Sequence, residues 1–232
     1  MTQPVSSGDV DPRDRLDYPL RETWFHKLVV AILRQVFKFL MVIEVRGLER
    51  LPAQGGVVLC ANHINNFDIF PLQLALPRML FYMGKAELFK NAFIHYAFRN
   101  LGAFPVHRGA RDEWALRHAR RILDAGQVLA MFPEGTRSRG RGLQVAKTGA
   151  TRLSIESGCP IVPVAIVGIE AMFRRFPRRA RVRIEVCEPI WPQADDTPLD
   201  LTERLMFTLA AHLPEAMRGV YAHIPPGFGP GR

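Results

Sequence analysis

His63 and Asp68 stand five positions apart in the stretch Asn62-His63-Ile64-Asn65-Asn66-Phe67-Asp68, directly after the apolar run Val57-Val58-Leu59-Cys60-Ala61. A carboxylate bonded to one imidazole nitrogen leaves the other free to take a proton from a hydroxyl, the base-plus-orienter arrangement of acyl-transfer chemistry. On a regular helix, positions five apart diverge by about 140° and 7 Å. The pair can therefore meet only if the chain leaves a buried strand at 57–61 and turns at 64–66 before a helix begins. Two asparagines suit that turn, and Asn66 is a candidate N-cap for a helix over 67–76. A structural His-Asp pair has the same spacing, so the pattern alone leaves both readings open.

Three further segments carry residues of the right kind. In Gly102-Ala103-Phe104-Pro105-Val106-His107-Arg108-Gly109, Arg108 follows a short strand and its planar fork of donors suits a phosphate, although a surface arginine would read the same way. In Phe132-Pro133-Glu134-Gly135-Thr136-Arg137-Ser138, Pro133 fixes the exit from a buried strand and Gly135 admits close backbone approach to a ligand. Glu134 and Arg137 add an acceptor and a cation within one turn. That loop reads as a phosphate-binding turn or as a solvated basic loop. Lys147, ahead of Thr148-Gly149, could neutralise the same anion from a helix expected over 145–157. In Cys159-Pro160-Ile161-Val162-Pro163-Val164-Ala165, Pro163 inside an apolar strand marks an edge or a bulge.

Taken in order, these four blocks resemble the glycerolipid acyltransferase family, whose best-known members make phosphatidic acid from 1-acylglycerol 3-phosphate. The resemblance runs from about residue 45 to 190, and its first and third blocks are the most specific. It implies that His63 is the general base and Asp68 its orienter, that Arg108 holds the acceptor's phosphate, and that Glu134, Gly135, Thr136 and Arg137 bind the glycerol phosphate and order the acceptor. Lys147 matches the family's lysine-x-glycine pattern, Pro163 shapes the acyl-donor side, and His107 falls at a variable position. The donor it implies is acyl-CoA or acyl carrier protein, used as a substrate. No cofactor is called for, and one histidine with one carboxylate is too small a ligand set for a metal. Other acceptors stay open (glycerol 3-phosphate, another lysophospholipid or a lyso-ornithine lipid), as does a non-catalytic membrane-binding homologue.

The elements that must position these residues alternate between strand-like and helix-like segments. The expectation is an α/β fold: a single domain with a mixed, largely buried sheet flanked by helices, plus an N-terminal amphipathic membrane-interface helix. Strands are expected at 57–61, 79–83, 104–106, 128–132, 161–167 and 182–186, and helices at 67–76, 87–100, 112–124, 145–157 and 199–217. The division is a disordered tail over 1–22, the membrane-interface helix over 23–44, the acyltransferase domain over 45–222 and a second disordered tail over 223–232.

The chain has 232 residues, a net charge of +9 and 48% hydrophobic residues, which bounds it to one sizeable core and points to an anionic partner. From Trp24 to Ile43 the run is apolar except for a few polar side chains, and Lys27, Arg34 and Lys38 fall within about 40° of one another on a helix. Each cation at a bilayer centre costs about 2.5 to 3.5 kcal/mol, against about 0.3 to 0.6 returned per large apolar residue. Lying in the interface of an anionic membrane fits better than spanning it, with a core helix as the alternative. The arginines from Arg174 to Arg183 could join that contact or form a solvated face. No nucleic-acid recognition motif accompanies them. Cys60, Cys159 and Cys187 are scattered and read as reduced thiols, and the polar start shows no secretory signal, so the expected location is the cytoplasmic face of a membrane, peripheral or monotopic.

Overall fold

The computed structural model describes residues 11–109, 112–172, 174 and 177–228. Its elements run α1 (Trp24–Leu40), β1 (Met41–Arg46), β2 (Val57–Ala61), α2 (Ile69–Ala75), β3 (Leu80–Lys85), α3 (Ala92–Asn100), β4 (Ala103–Val106) and α4 (Glu113–Asp124). They continue with β5 (Val128–Met131), α5 (Gly149–Ser157), β6 (Ile161–Val167), β7 (Ala180–Val186) and α6 (Pro198–Ala211). The seven strands form one mixed sheet in the order β1-β7-β6-β2-β5-β3-β4. Every neighbouring pair is parallel except β6 with β7. The strands from β6 to β4 therefore present their carboxyl ends along one edge, where ligand crevices of open α/β sheets form.

Strand β2 shows why such a run must be central. Val58 and Cys60 pack into one core with α4, α5 and α6, while Val57, Leu59 and Ala61 pack into the other with Phe37 of α1 and Leu72 of α2. A strand buried on both faces has no polar side to alternate with. Burying such side chains contributes roughly 1.5–3 kcal/mol each.

Several expected boundaries shift for local reasons. The N-terminal helix stops at Leu40, and Met41–Arg46 becomes β1, paired in parallel with β7. An all-apolar stretch hides that change of period, and Val42, Ile43 and Val45 are β-branched. Residues 41–44 therefore belong to the sheet. The segment 87–100 divides because Asn91 caps α3 through the N–H groups of Phe93 and Ile94. Helix α5 begins only at Gly149, since the Lys147 N–H is committed to the Pro133 carbonyl at 2.8 Å. The last helix ends at Ala211, and two short 3₁₀ turns carry the chain on to Tyr221.

Pro163 is not at an edge. It lies in β6, between β2 and β7, opposite Cys60. Its carbonyl accepts the Cys187 N–H at 2.9 Å, one residue beyond the last β6–β7 register pair. The missing donor thus faces the point where β7 leaves the sheet.

Nor are residues 11–22 loose. Arg13 pairs with Asp112, the indole N–H of Trp114 donates to Asp14 at 2.7 Å, and Tyr18 is buried with its hydroxyl 2.7 Å from His95 Nε2. Ion pairs and ring contacts hold this arm, and neither leaves an apolar period to read. At the other end, Ile224 packs on the core and the Phe228 ring lies 5.4 Å from that of Phe207. The expected tails at 1–10 and 229–232 lie outside the described residues. The three cysteines are free, with Cys60 and Cys187 buried.

Candidate active site

The site is assembled at the carboxyl ends of β2, β4 and β5. Strand β2 ends its backbone pairing with β6 at Ala61, and the Asn62 side chain continues it. The Asn62 amide donates to the Ile166 carbonyl at 3.0 Å, and its oxygen accepts the Ile166 N–H at 2.7 Å. This frees the backbone of His63 to turn towards the loop after β5.

The turn at 64–66 brings the His63-Asp68 pair together. His63 Nδ1 lies 2.7 Å from Asp68 Oδ2, and the same oxygen accepts the N–H groups of Ile64 at 2.7 Å and Asn65 at 2.9 Å. Asp68 is fully buried. Asn65, rather than Asn66, organises the turn by accepting the Phe67 N–H at 2.7 Å, so α2 starts at Ile69. With Nδ1 as donor to the carboxylate, Nε2 carries the lone pair that a general base needs. The imidazole stacks on Phe132 at 4.0 Å between ring centres, which fixes its plane while leaving it partly open to solvent.

The loop after β5 is sewn to this turn. Glu134 accepts the His63 N–H at Oε1, 2.8 Å, and the Gln144 N–H at Oε2, 2.9 Å. The Ser138 N–H donates to the His63 carbonyl at 2.7 Å, and Arg137 donates to Asn66 Oδ1 at 2.8 Å. Burial pushes the Glu134 carboxyl above its ordinary pKa, opposed by its two N–H partners. Both its oxygens are occupied by backbone, so Glu134 holds two loops together and does not point at a ligand. This differs from the acceptor-binding role that the family pattern implies for it.

Two cations converge beside Gly135. Its φ of +66° is left-handed, a conformation that glycine adopts without strain, and the end of the Lys147 side chain lies close by. Arg108 Nη1 is 3.5 Å from the Gly135 carbonyl, and Arg108, Thr136 and Lys147 are all exposed. Arg137 instead ties the loop to Asn66, and Lys147 sits on the loop ahead of α5, not on the helix. The geometry thus brings together a hydrogen-bonded imidazole and carboxylate and a solvent-facing pair of cations on linked loops. It can deprotonate a hydroxyl on a molecule that also carries an anionic group. Asn62, Phe132, Ser138 and Gln144 complete the frame. Asn62 could have been suspected from its place at the strand end, but nothing local marks Gln144.

The Acyltransferase family profile matches residues 42–167, which contain every one of these site residues. The chain belongs to the Acyltransferase family. It is 29% identical over 181 residues to the 1-acyl-sn-glycerol-3-phosphate acyltransferase of Bacillus subtilis, a match covering 78% of this chain and 89% of that protein. It is 33% identical over 132 residues to the protein of the same name from Escherichia coli strain K12, covering 53% of this chain and 52% of that one. Several other curated relatives are matched over only about half of their length or less. The fold resembles the crystal structure of the 1-acyl-sn-glycerophosphate acyltransferase PlsC from Thermotoga maritima, with a TM-score of 0.64, 25% identity and coverage of 79% and 78% of the two chains. In this family member, among the described residues, no group of three or more His, Cys, Asp or Glu side chains could hold a metal ion.

Proposed function

We propose that this acyltransferase transfers an acyl chain from a thioester, acyl-CoA or acyl carrier protein, to the sn-2 hydroxyl of 1-acylglycerol 3-phosphate, giving phosphatidic acid for phospholipid biosynthesis. The observation that carries this reading is the 2.7 Å contact of His63 Nδ1 with Asp68, on a turn sewn through Glu134 to the loop whose Gly135 both Arg108 and Lys147 approach. His63 Nε2 takes the hydroxyl proton as the oxygen attacks the thioester carbonyl. When the tetrahedral intermediate collapses, the C–S bond breaks and the departing sulfur receives that proton from the imidazolium, which Asp68 has steadied. The acceptor supplies the nucleophile, so no acyl-enzyme forms. Its phosphate lies against Arg108 and Lys147 beside Gly135, and holding it there aims the hydroxyl at His63.

The working location is the cytoplasmic face of an anionic membrane. Helix α1 buries His26 and Phe37 but exposes Trp24, Leu28, Ile32, Val36 and Phe39 along its other side. At about 100° per residue, Lys27, Arg34 and Lys38 fall between the buried and the exposed apolar faces. That suits a helix sunk in the acyl boundary with its cations at headgroup level. Arg179 reaches the Lys38 carbonyl at 3.3 Å, which puts part of the arginine run beside the same helix end. No helix of the described residues is long and apolar enough to cross a membrane.

The test is release of thiol from acyl-CoA and from acyl carrier protein by the full chain in detergent. Release is expected to be slow alone and to rise steeply with 1-acylglycerol 3-phosphate, one diacyl product per thiol. Neutral monoacylglycerol should stimulate far less. Fast release without acceptor, yielding free fatty acid, would mean a thioesterase.

A further inference from the structure

Between β4 and α4 the chain passes from His107 through Arg108 and Gly109 to Asp112, and Asp112 closes that loop. Its Oδ2 accepts the His107 N–H at 2.8 Å, and its Oδ1 caps α4 through the Ala115 N–H at 3.0 Å. The N-terminal arm then adds a bidentate partner: Arg13 Nη1 donates to Oδ2 at 2.7 Å and Nη2 to Oδ1 at 2.8 Å. Arg13 Nη1 also reaches the Pro105 carbonyl at 3.4 Å, so one guanidinium touches the chain on both sides of Arg108. The guanidinium is itself fixed, by Asp11 at 2.7 Å and by the face of Trp114, 4.5 Å from the ring centre. Planar forks of this kind lose less freedom per bond than a lysine and set orientation as well as charge.

Arg108 is exposed and its side chain has only a long contact with the Gly135 carbonyl, so where its guanidinium stands depends on where its backbone is held. The hold comes from Asp112, at the residue just before it.

We propose that Arg13 is a positioning residue for the acceptor: through Asp112 it sets the His107-Arg108 backbone so that the Arg108 fork faces the phosphate site beside Gly135. Arg13 touches neither substrate. The inference rests on the reading of Arg108 as the phosphate holder, and it makes residues 11–18 part of the working enzyme.

The test compares Arg13→Lys, Arg13→Gln, Arg108→Ala and the double variant Arg13→Lys with Arg108→Ala, all in the full chain, with 1-acylglycerol 3-phosphate and one acyl donor. Arg13→Lys keeps the charge and loses the fork. It should raise the acceptor KM about five- to tenfold, leave the donor KM and kcat within about twofold, and keep the melting temperature within a few degrees. Arg13→Gln should act in the same direction and more strongly. In the Arg108→Ala background, Arg13→Lys should have no further effect on the acceptor KM, because the group it positions is gone. Equal changes in both KM values, an unchanged acceptor KM, or the same Arg13→Lys effect with and without Arg108 would each overturn the inference while leaving Arg108 its role. An acceptor KM unchanged by Arg108→Ala itself would remove the underlying reading and the inference with it.

Discussion

Glu134 accepts the backbone N–H of His63, 2.8 Å away, and leaves the imidazole to Asp68. A glutamate in the segment that the family pattern assigns to the acceptor is therefore a clamp. Glu134→Gln should show it: the amide keeps one acceptor oxygen and turns an NH₂ donor against a backbone N–H, with a cost of about 1–3 kcal/mol for the buried mismatch. Turnover should fall about tenfold or more and the melting temperature by several degrees, measured by steady-state assay and thermal unfolding. Full activity with unchanged stability would show that the loop closes without the carboxylate.

His63→Ala should lower kcat by about a hundredfold or more, the usual worth of a general base. Asp68→Asn should also cost rate: the amide oxygen can take the place of Oδ2 and keep its three donors, but the charge that steadies the imidazolium is gone. Half of the parent activity in either variant would make the pair structural.

Acid sensitivity has an identifiable source away from the site. His118 is buried between Phe104 and Trp114, and burial pushes its pKa down to about 4, helped by Arg121 and opposed by Asp14. In the unfolded chain it takes a proton near pH 6.5, and in the folded chain only near pH 4. Between those values the unfolded state binds the extra proton, so stability is complete above the upper one and is lost as pH falls towards the lower. His118→Phe should flatten that part of the profile in denaturant titrations. An unchanged slope between pH 6.5 and 4 would assign it to other groups.

Vesicle binding should strengthen with anionic lipid and weaken as salt rises, because screening acts on Lys27, Arg34 and Lys38. Leu28→Glu with Ile32→Glu, both on the exposed face of α1, should reduce binding at least tenfold while leaving turnover of detergent-dispersed acceptor near parent level. These substitutions are cleaner than deleting everything before Val45, which would also remove most of the paired part of β1. Salt-independent binding to neutral vesicles would point to a purely apolar anchor.

What could be read in advance follows from how local each signal is. The apolar run at β2, the asparagine turn and the His63-Asp68 meeting all lie within a dozen residues, and the turn closes much as its residue types imply. β1 could not be separated from α1, since an unbroken apolar run fits either period. Pro163 misled because its missing donor faces a strand that has already departed, a matter of neighbours and not of its own strand. Arg13 and Asp112 are unremarkable in sequence, and only the folded chain puts them 2.7 Å apart. The clamp role of Glu134 was equally hidden, because one of its partners, the Gln144 N–H, is a backbone group that any residue could supply.

The amide of Asn62 reaches Ile166 across 104 positions of sequence, and the His63 N–H reaches Glu134 across 71. Contacts of such separation must wait until the intervening chain has been laid down and looped back, and loop closure of this kind is slow. The site is therefore expected to close late in the folding of this chain, whatever the order in which its helices appear. In a refolding experiment, helical signal should return first and catalytic competence last, so enzymatic activity serves as a reporter for completion of the sheet.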